Sequence, residues 1–208
     1  MRPPDGAPGS DLLIAETTGS QVGAKILQNE FNIALTYFQP APFAEYQLIA
    51  NKYQIQVHKV FHDHLYLLMR RDSPLSARAE IDRGTLRDLD FALLSHFTLS
   101  EDAIASTKPI QGRNRITVFS NVPLIKQAVL EQNMVSILSG YAICWDESAD
   151  NTLLHAIPLA GAGELNEMDL CLIHRDMHSL RPAEQQVVSF IRDYFARLAP
   201  PPFSPEAR

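Results

Sequence analysis

The stretch TVFSNVPLIKQAVLEQNMVSILSG, from Thr117 to Gly140, constrains the fold of this chain more than any other. A β-branched and aromatic run from Ile116 to Phe119 stops at Ser120 and Asn121. An amphipathic segment follows to Gln132, and a second apolar run begins at Met134. This order of spacings predicts strand, helix, strand, which is one βαβ unit. In such a unit the turn leaving the first strand sets a helix N-terminus, with unpaired backbone N–H groups, at the carboxyl edge of a parallel sheet. Ligands of open α/β sheets gather at that edge.

The rest of the chain repeats the alternation. Leu12 to Ala15 is a short apolar run, followed by capping residues at Glu16, Thr17 and Thr18 and a brief helical stripe of Val22, Ile26 and Leu27 that closes near Asn29. Phe31 to Tyr37 reads as a strand covered on both faces. Two prolines between Gln39 and Pro42 interrupt the chain, and long extended segments are expected from Tyr46 to Met69. Ser73 and Pro74 make a turn. A short helix at Thr85 to Leu89, a strand at Phe91 to Leu94, a helix at Leu99 to Ser106 and a polar loop at Lys108 to Asn114 follow. Beyond the opening stretch, Tyr141 to Trp145 carries no assignable pattern. Leu153 to Leu159 and Met168 to Ile173 read as strands, with a loop at Gly161 to Glu164 between them. The last helix is the clearest: Pro182 stands near its start, Val187, Val188, Ile191, Tyr194, Phe195 and Leu198 form its stripe, and Pro200 to Pro202 end it. Short apolar strands alternating with amphipathic helices predict an α/β fold with a mainly parallel sheet.

Composition removes several function classes. A formal charge of -6 argues against wholesale binding to nucleic acid or an anionic membrane. The start, MRPPDGAPGS, has no apolar core of a signal peptide, and no stretch approaches the roughly 18 apolar residues of a membrane span, so a cytoplasmic location is expected. Cys144 and Cys171 sit in apolar surroundings without metal-type spacing and read as free thiols.

Taken in order, LLIAETTGSQVGAKILQNEFNIAL from Leu12, HDHLYLLMRRDSPLS from His62, GTLRDLDFALLS from Gly84, the opening stretch, MDLCLIHRD and SLRPAEQQVVSFIRDYF resemble the effector-binding region of LysR-type transcriptional regulators, over about Leu12 to Leu198. The resemblance implies a fold similar to a periplasmic binding protein: two α/β subdomains joined by two crossover segments, with a ligand cleft between them. Subdomain I would comprise 12–79 and 165–198, and subdomain II 80–160, with crossovers near Ser76 to Asp82 and Leu159 to Glu164. A disordered segment at 1–11 and a tail at 199–208 complete the division. Leu12 lines up with the family's second strand. The winged helix-turn-helix and the first strand-helix unit of subdomain I are therefore expected to be missing, leaving subdomain I incomplete, its sheet edge exposed and its pairing into a homo-oligomer in doubt. Asn32 stands where the family usually has Asp, Ser73 where it has His, and Asn133 and Val135 where a Gly-x-Gly turn is usual. Asn tolerates the left-handed conformation a helix end needs.

Candidate site residues lie at strand ends. Ser120 and Asn121 suffice as caps for the following helix, and the family's use of this turn adds ligand contact. Ser95, His96 and Thr98 follow a strand that should face the same cleft, where hydroxyl and imidazole groups can orient a carboxylate. Ser139 and Gly140 close the strand after the helix, while Thr17, Thr18, Tyr37 and Gln39 stand at corresponding ends of subdomain I; each is also accounted for by loop geometry alone. His58, His62 and His64 suggest a metal, yet in a strand His62 and His64 share one face while Asp63 points away, and no further ligand is placed by spacing. AGAGE at Gly161 and Gly163 is no dinucleotide fingerprint. The expectation is a ligand-sensing regulatory domain without catalytic activity or cofactor. It would take a small, anionic effector and reach DNA only through a helix-turn-helix domain not in this chain. The alternative is a stand-alone small-molecule binder or a cytoplasmic enzyme on a similar scaffold.

Overall fold

The structure is a computed structural model that describes residues 13–15, 17, 19–81, 85–95, 115–145, 149–159 and 167–201. Its frame is one long strand, β2 (Ile55–Arg70), assembled with β1 (Ile33–Phe38), β5 (Ser136–Ser139), β6 (Leu154–Pro158) and β7 (Glu167–Arg175). The first part of β2 pairs antiparallel with β7, which carries β1 on its other edge. The last part pairs antiparallel with both β5 and β6. Two further strands, β3 (Phe91–Leu94) and β4 (Ile116–Phe119), pair in parallel, and a parallel bridge from Phe91 to Val135 joins β3 to the start of β5. The expected βαβ unit is therefore present, with β3 lying between its two strands. Elsewhere the expected parallel pairing gives way to antiparallel pairing. β1 and β2 run in the same direction, as their connection through a helix requires, but β7 arrives from far along the chain and inserts between them.

Among the described residues, five helices pack on this frame. α1 (Gly19–Leu27) buries Val22 and Ile26, and the chain leaves it through Asn29 at φ 62°. α2 (Pro40–Lys52) occupies part of the segment expected to be extended: Pro40 and Pro42 fall in its first turn, where a missing N–H disrupts no intrahelical bond, so they start a helix rather than interrupt the chain. α3 (Val122–Gln132) spans the predicted bounds, with Asn133 left-handed at φ 55° in place of the usual glycine. α4 (Gly140–Trp145) fills the unassigned segment, and α5 (Pro182–Ala196) is the predicted final helix. Thr85 to Leu89 forms a 3₁₀ turn, Thr85–Asp88, instead of an α-helix. Residues 13–15 form no strand. Leu13 and Ile14 are exposed, and β1 has β7 as its one partner among the described residues. The segments 99–106, 108–114 and 161–164 lie outside the described residues.

The two parts of β2 serve different cores. Ile55 and Val57 pack with Val22, Ile26, Ala50 and Ile173 under α1 and α2, while Val60 joins Leu172, Val188 and Ile191 under α5. Farther along, Leu65, Leu67 and Met69 face Phe91, Ile137 and Ile157, whereas Tyr66 and Leu68 turn the other way, onto Ile125, Val129 and Met134. The alternation is the two-residue period of a strand buried on both faces, and each such side chain contributes about 1.5–3 kcal/mol by leaving water. Among the described residues, no helix is long and apolar enough to cross a membrane.

Candidate functional site

Strand register brings three serines into one row. Phe91 is level with Ile116 on β4 and with Val135 ahead of β5. Four residues farther along each strand stand Ser95, Ser120 and Ser139. The pairing continues past the strand ends, since Ser95 donates its N–H to the Phe119 carbonyl at 2.8 Å. Ser95 and Ser120 are exposed at the carboxyl edge, while Ser139 is buried.

At the Ser120 end the edge meets the N-terminus of α3. Asn121, extended at φ −153°, accepts the Leu124 N–H on its side-chain oxygen at 3.0 Å, which is the capping role read from the sequence. Pro123 has no N–H, so the Val122 N–H, the Ser120 hydroxyl and the Asn121 amide groups are donors at this helix mouth.

At the Ser139 end a buried network has formed around Asp63. This carboxylate is 1% exposed. It accepts the N–H groups of His64 at 2.8 Å, Gly140 at 3.0 Å and Tyr141 at 2.9 Å, and the Tyr37 hydroxyl at 3.1 Å. Ser139 donates to the Tyr37 oxygen at 3.3 Å. Burial pushes the Asp63 carboxyl above its ordinary range, and the four donors pull it back. Burial, with the Asp63 carboxylate next to it, pushes the Tyr37 phenol far up, so it stays protonated and acts as a donor. Gly140 is required by this arrangement: a Cβ there would stand 2.7 Å from Asp63 Oδ1 and 2.7 Å from Pro201 Cγ.

The structure thus joins Tyr37 to Ser139 and aligns Ser95 with Ser120. Thr17 lies apart, ahead of α1, bonded to Gln21 at 3.0 Å. Gln39 stands just before α2, as its N-cap residue. Thr18, His96 and Thr98 lie outside the described residues. Asp63 was not singled out in the sequence, although its signal is there: it shares parity with Leu65, Leu67 and Met69, the face that turns into the core.

The histidines do not converge. His62 meets Asp169 at 3.0 Å and His64 edge to face at 4.9 Å, while His58 stacks on His174 at 5.1 Å. No group of three metal-ligating side chains occurs among the described residues. Both thiols are free; burial pushes Cys144 up to about 11 and Cys171 up to about 12, so neither is a thiolate at neutral pH.

Comparison with known proteins agrees with this architecture. Among solved structures, the reduced OxyR regulatory domain of Pseudomonas aeruginosa is 16% identical, with 86% of this chain covering 78% of that one at a TM-score of 0.59. The CcmR regulatory domain of Synechocystis PCC6803, in complex with 2-PG, is 15% identical, with coverages of 88% and 82% and a TM-score of 0.64. The effector-binding domain of QuiR, in complex with shikimate, is 14% identical, with coverages of 87% and 79% and a TM-score of 0.58. Against full-length OxyR of P. aeruginosa, at 18% identity and a TM-score of 0.62, 88% of this chain covers 58% of that chain. Such likenesses establish a periplasmic-binding-protein-like fold. Among curated proteins none matches the sequence. The model of the LysR substrate binding domain matches residues 6–196, nearly the full length, and the chain belongs to that family.

Proposed function

We propose that this chain is the effector-sensing part of a LysR-type transcriptional regulator and that its ligand is a small hydroxylated carboxylate held along the row of Ser95, Ser120 and Ser139. The register that aligns these serines is the observation that carries the reading. Charge decides the orientation. The mouth of α3, with Ser120 and the Val122 N–H, favours an anion, whereas the Asp63 carboxylate repels one at the other end. A ligand hydroxyl suits that second end as a donor, because the Tyr37 and Ser139 protons are already given to Asp63 and Tyr37 and their oxygens can still accept.

The family relationship and two relatives whose structures contain 2-PG and shikimate support a small-molecule effector. The subdomains would be 12–79 with 165–198 and 80–160; the parallel bridge between Ile81 and Leu159, at the two expected crossovers, is consistent with such a division. The ligand would act by stabilising one arrangement of these parts or of paired copies, to the extent that it binds that arrangement more tightly. DNA contact would require a helix-turn-helix domain. The protein acts in the cytoplasm and catalyses no reaction.

A thermal-shift screen of the chain with 2-PG, shikimate and related hydroxy acids tests the reading. A ligand at 100 times its Kd raises stability by about 2.7 kcal/mol, and Ser120→Ala is expected to abolish much of the shift. An undiminished shift in that variant would remove the ligand from the serine row.

A further inference from the structure

A groove lies on the other part of β2, away from the serine row. Where β2 pairs with β7 alone, a groove of about 530 Å³ runs over Val57 to Val60 between α2 and α5. Its size lies in the range of about 300–1,000 Å³ usual for small-molecule pockets. Phe43, Val57, Val60 and Ala196 give it apolar walls. Lys59 and Arg192 bring two positive charges, and Lys59 pairs with Asp169 at 2.5 Å, a carboxylate that His62 also meets at 3.0 Å. Lys59 Nζ also sits 4.6 Å from the centroid of the Phe43 ring. The exposed Arg192 has no ion-pair partner among the described residues. His58 stacks on His174 inside the same wall, and burial first of all, with the Arg192 charge adding to it, holds its imidazole below the ordinary value.

We propose that this groove binds a second small molecule, an aromatic or branched aliphatic monocarboxylate. Its carboxylate pairs with the Arg192 guanidinium in the two-pronged manner that Arg favours, and its apolar body lies between Phe43 and Val60. A monocarboxylate fits because one guanidinium is unpaired while the Lys59 charge is shared with Asp169. Phe61, which follows Val60 of the groove, packs against Tyr141, Trp145 and Phe195, and the Tyr141 N–H donates to Asp63.

The test is isothermal titration of the chain with benzoate, beside Arg192→Gln and Ser120→Ala, each checked for an unchanged melting temperature. Arg192 is exposed, so its replacement leaves the core intact. Binding to the parent chain, weakened by about tenfold or more in Arg192→Gln and unaltered in Ser120→Ala, is the expected result. Equal binding by Arg192→Gln, or no binding by the parent, overturns the proposal. Loss in Ser120→Ala alone also overturns it, and instead supports the serine-row reading.

Discussion

Asp63 shows how one residue ties separate parts of the chain together. A buried carboxylate is tolerated when donors surround it, and here three backbone N–H groups and one phenol do so. Gly140 makes the approach close enough. Gly140→Ala is expected to lower stability by about 1–3 kcal/mol, read from the urea midpoint, because neither Asp63 nor its backbone donors can retreat. The acid–base sign follows from burial. Since the folded state holds the Asp63 proton more tightly than the unfolded chain does, its contribution is favourable at low pH and is lost as pH rises through its folded value. The strand parity of Asp63 was legible in the sequence. Its partners were not, because Gly140 and Tyr141 lie 77 and 78 residues away and no local pattern encodes that distance.

At the scale of elements, what the sequence reveals depends on where the stabilising groups come from. α3 and α5 carry their own signals, Asn121 with a left-handed Asn133 in one and Pro182 with an apolar stripe in the other. α4 carries none. Its N-terminus is held by Asp63, and at the other end the buried Lys126 donates to the Ile143 carbonyl at 2.9 Å. A six-residue helix with a carboxylate at its positive end and an ammonium at its negative end is made by tertiary structure. Direction of pairing was equally hidden: nothing near β1 or β2 announces that β7 will separate them. α5 offers a measurable effect. Arg181 donates to Glu184 and Asn32 adds a bond at 2.9 Å, holding the Glu184 carboxyl down at about 2, with the Arg181 contacts contributing most. Glu184→Gln is expected to cost about 1 kcal/mol at neutral pH, a value kept low by solvent screening. That difference is fully present above the ordinary carboxylate range and disappears as pH falls through about 2, which melting curves across the acid range would show.

For the whole molecule, one long strand joins two sets of cores, and the candidate site lies where the parallel strands end against the Asp63 network. Among the described residues, Leu13 and Ile14 are exposed and β1 pairs with β7 alone. The central claim is that a small hydroxy acid binds along the serine row. The most direct measurement is a ¹⁵N–¹H NMR titration of the labelled chain with shikimate and 2-PG. The amide signals of Ser95, Ser120, Val122 and Ser139 are expected to move together and saturate at one ligand concentration. Saturable shifts confined to other parts of the molecule, with these four amides unmoved, would contradict it.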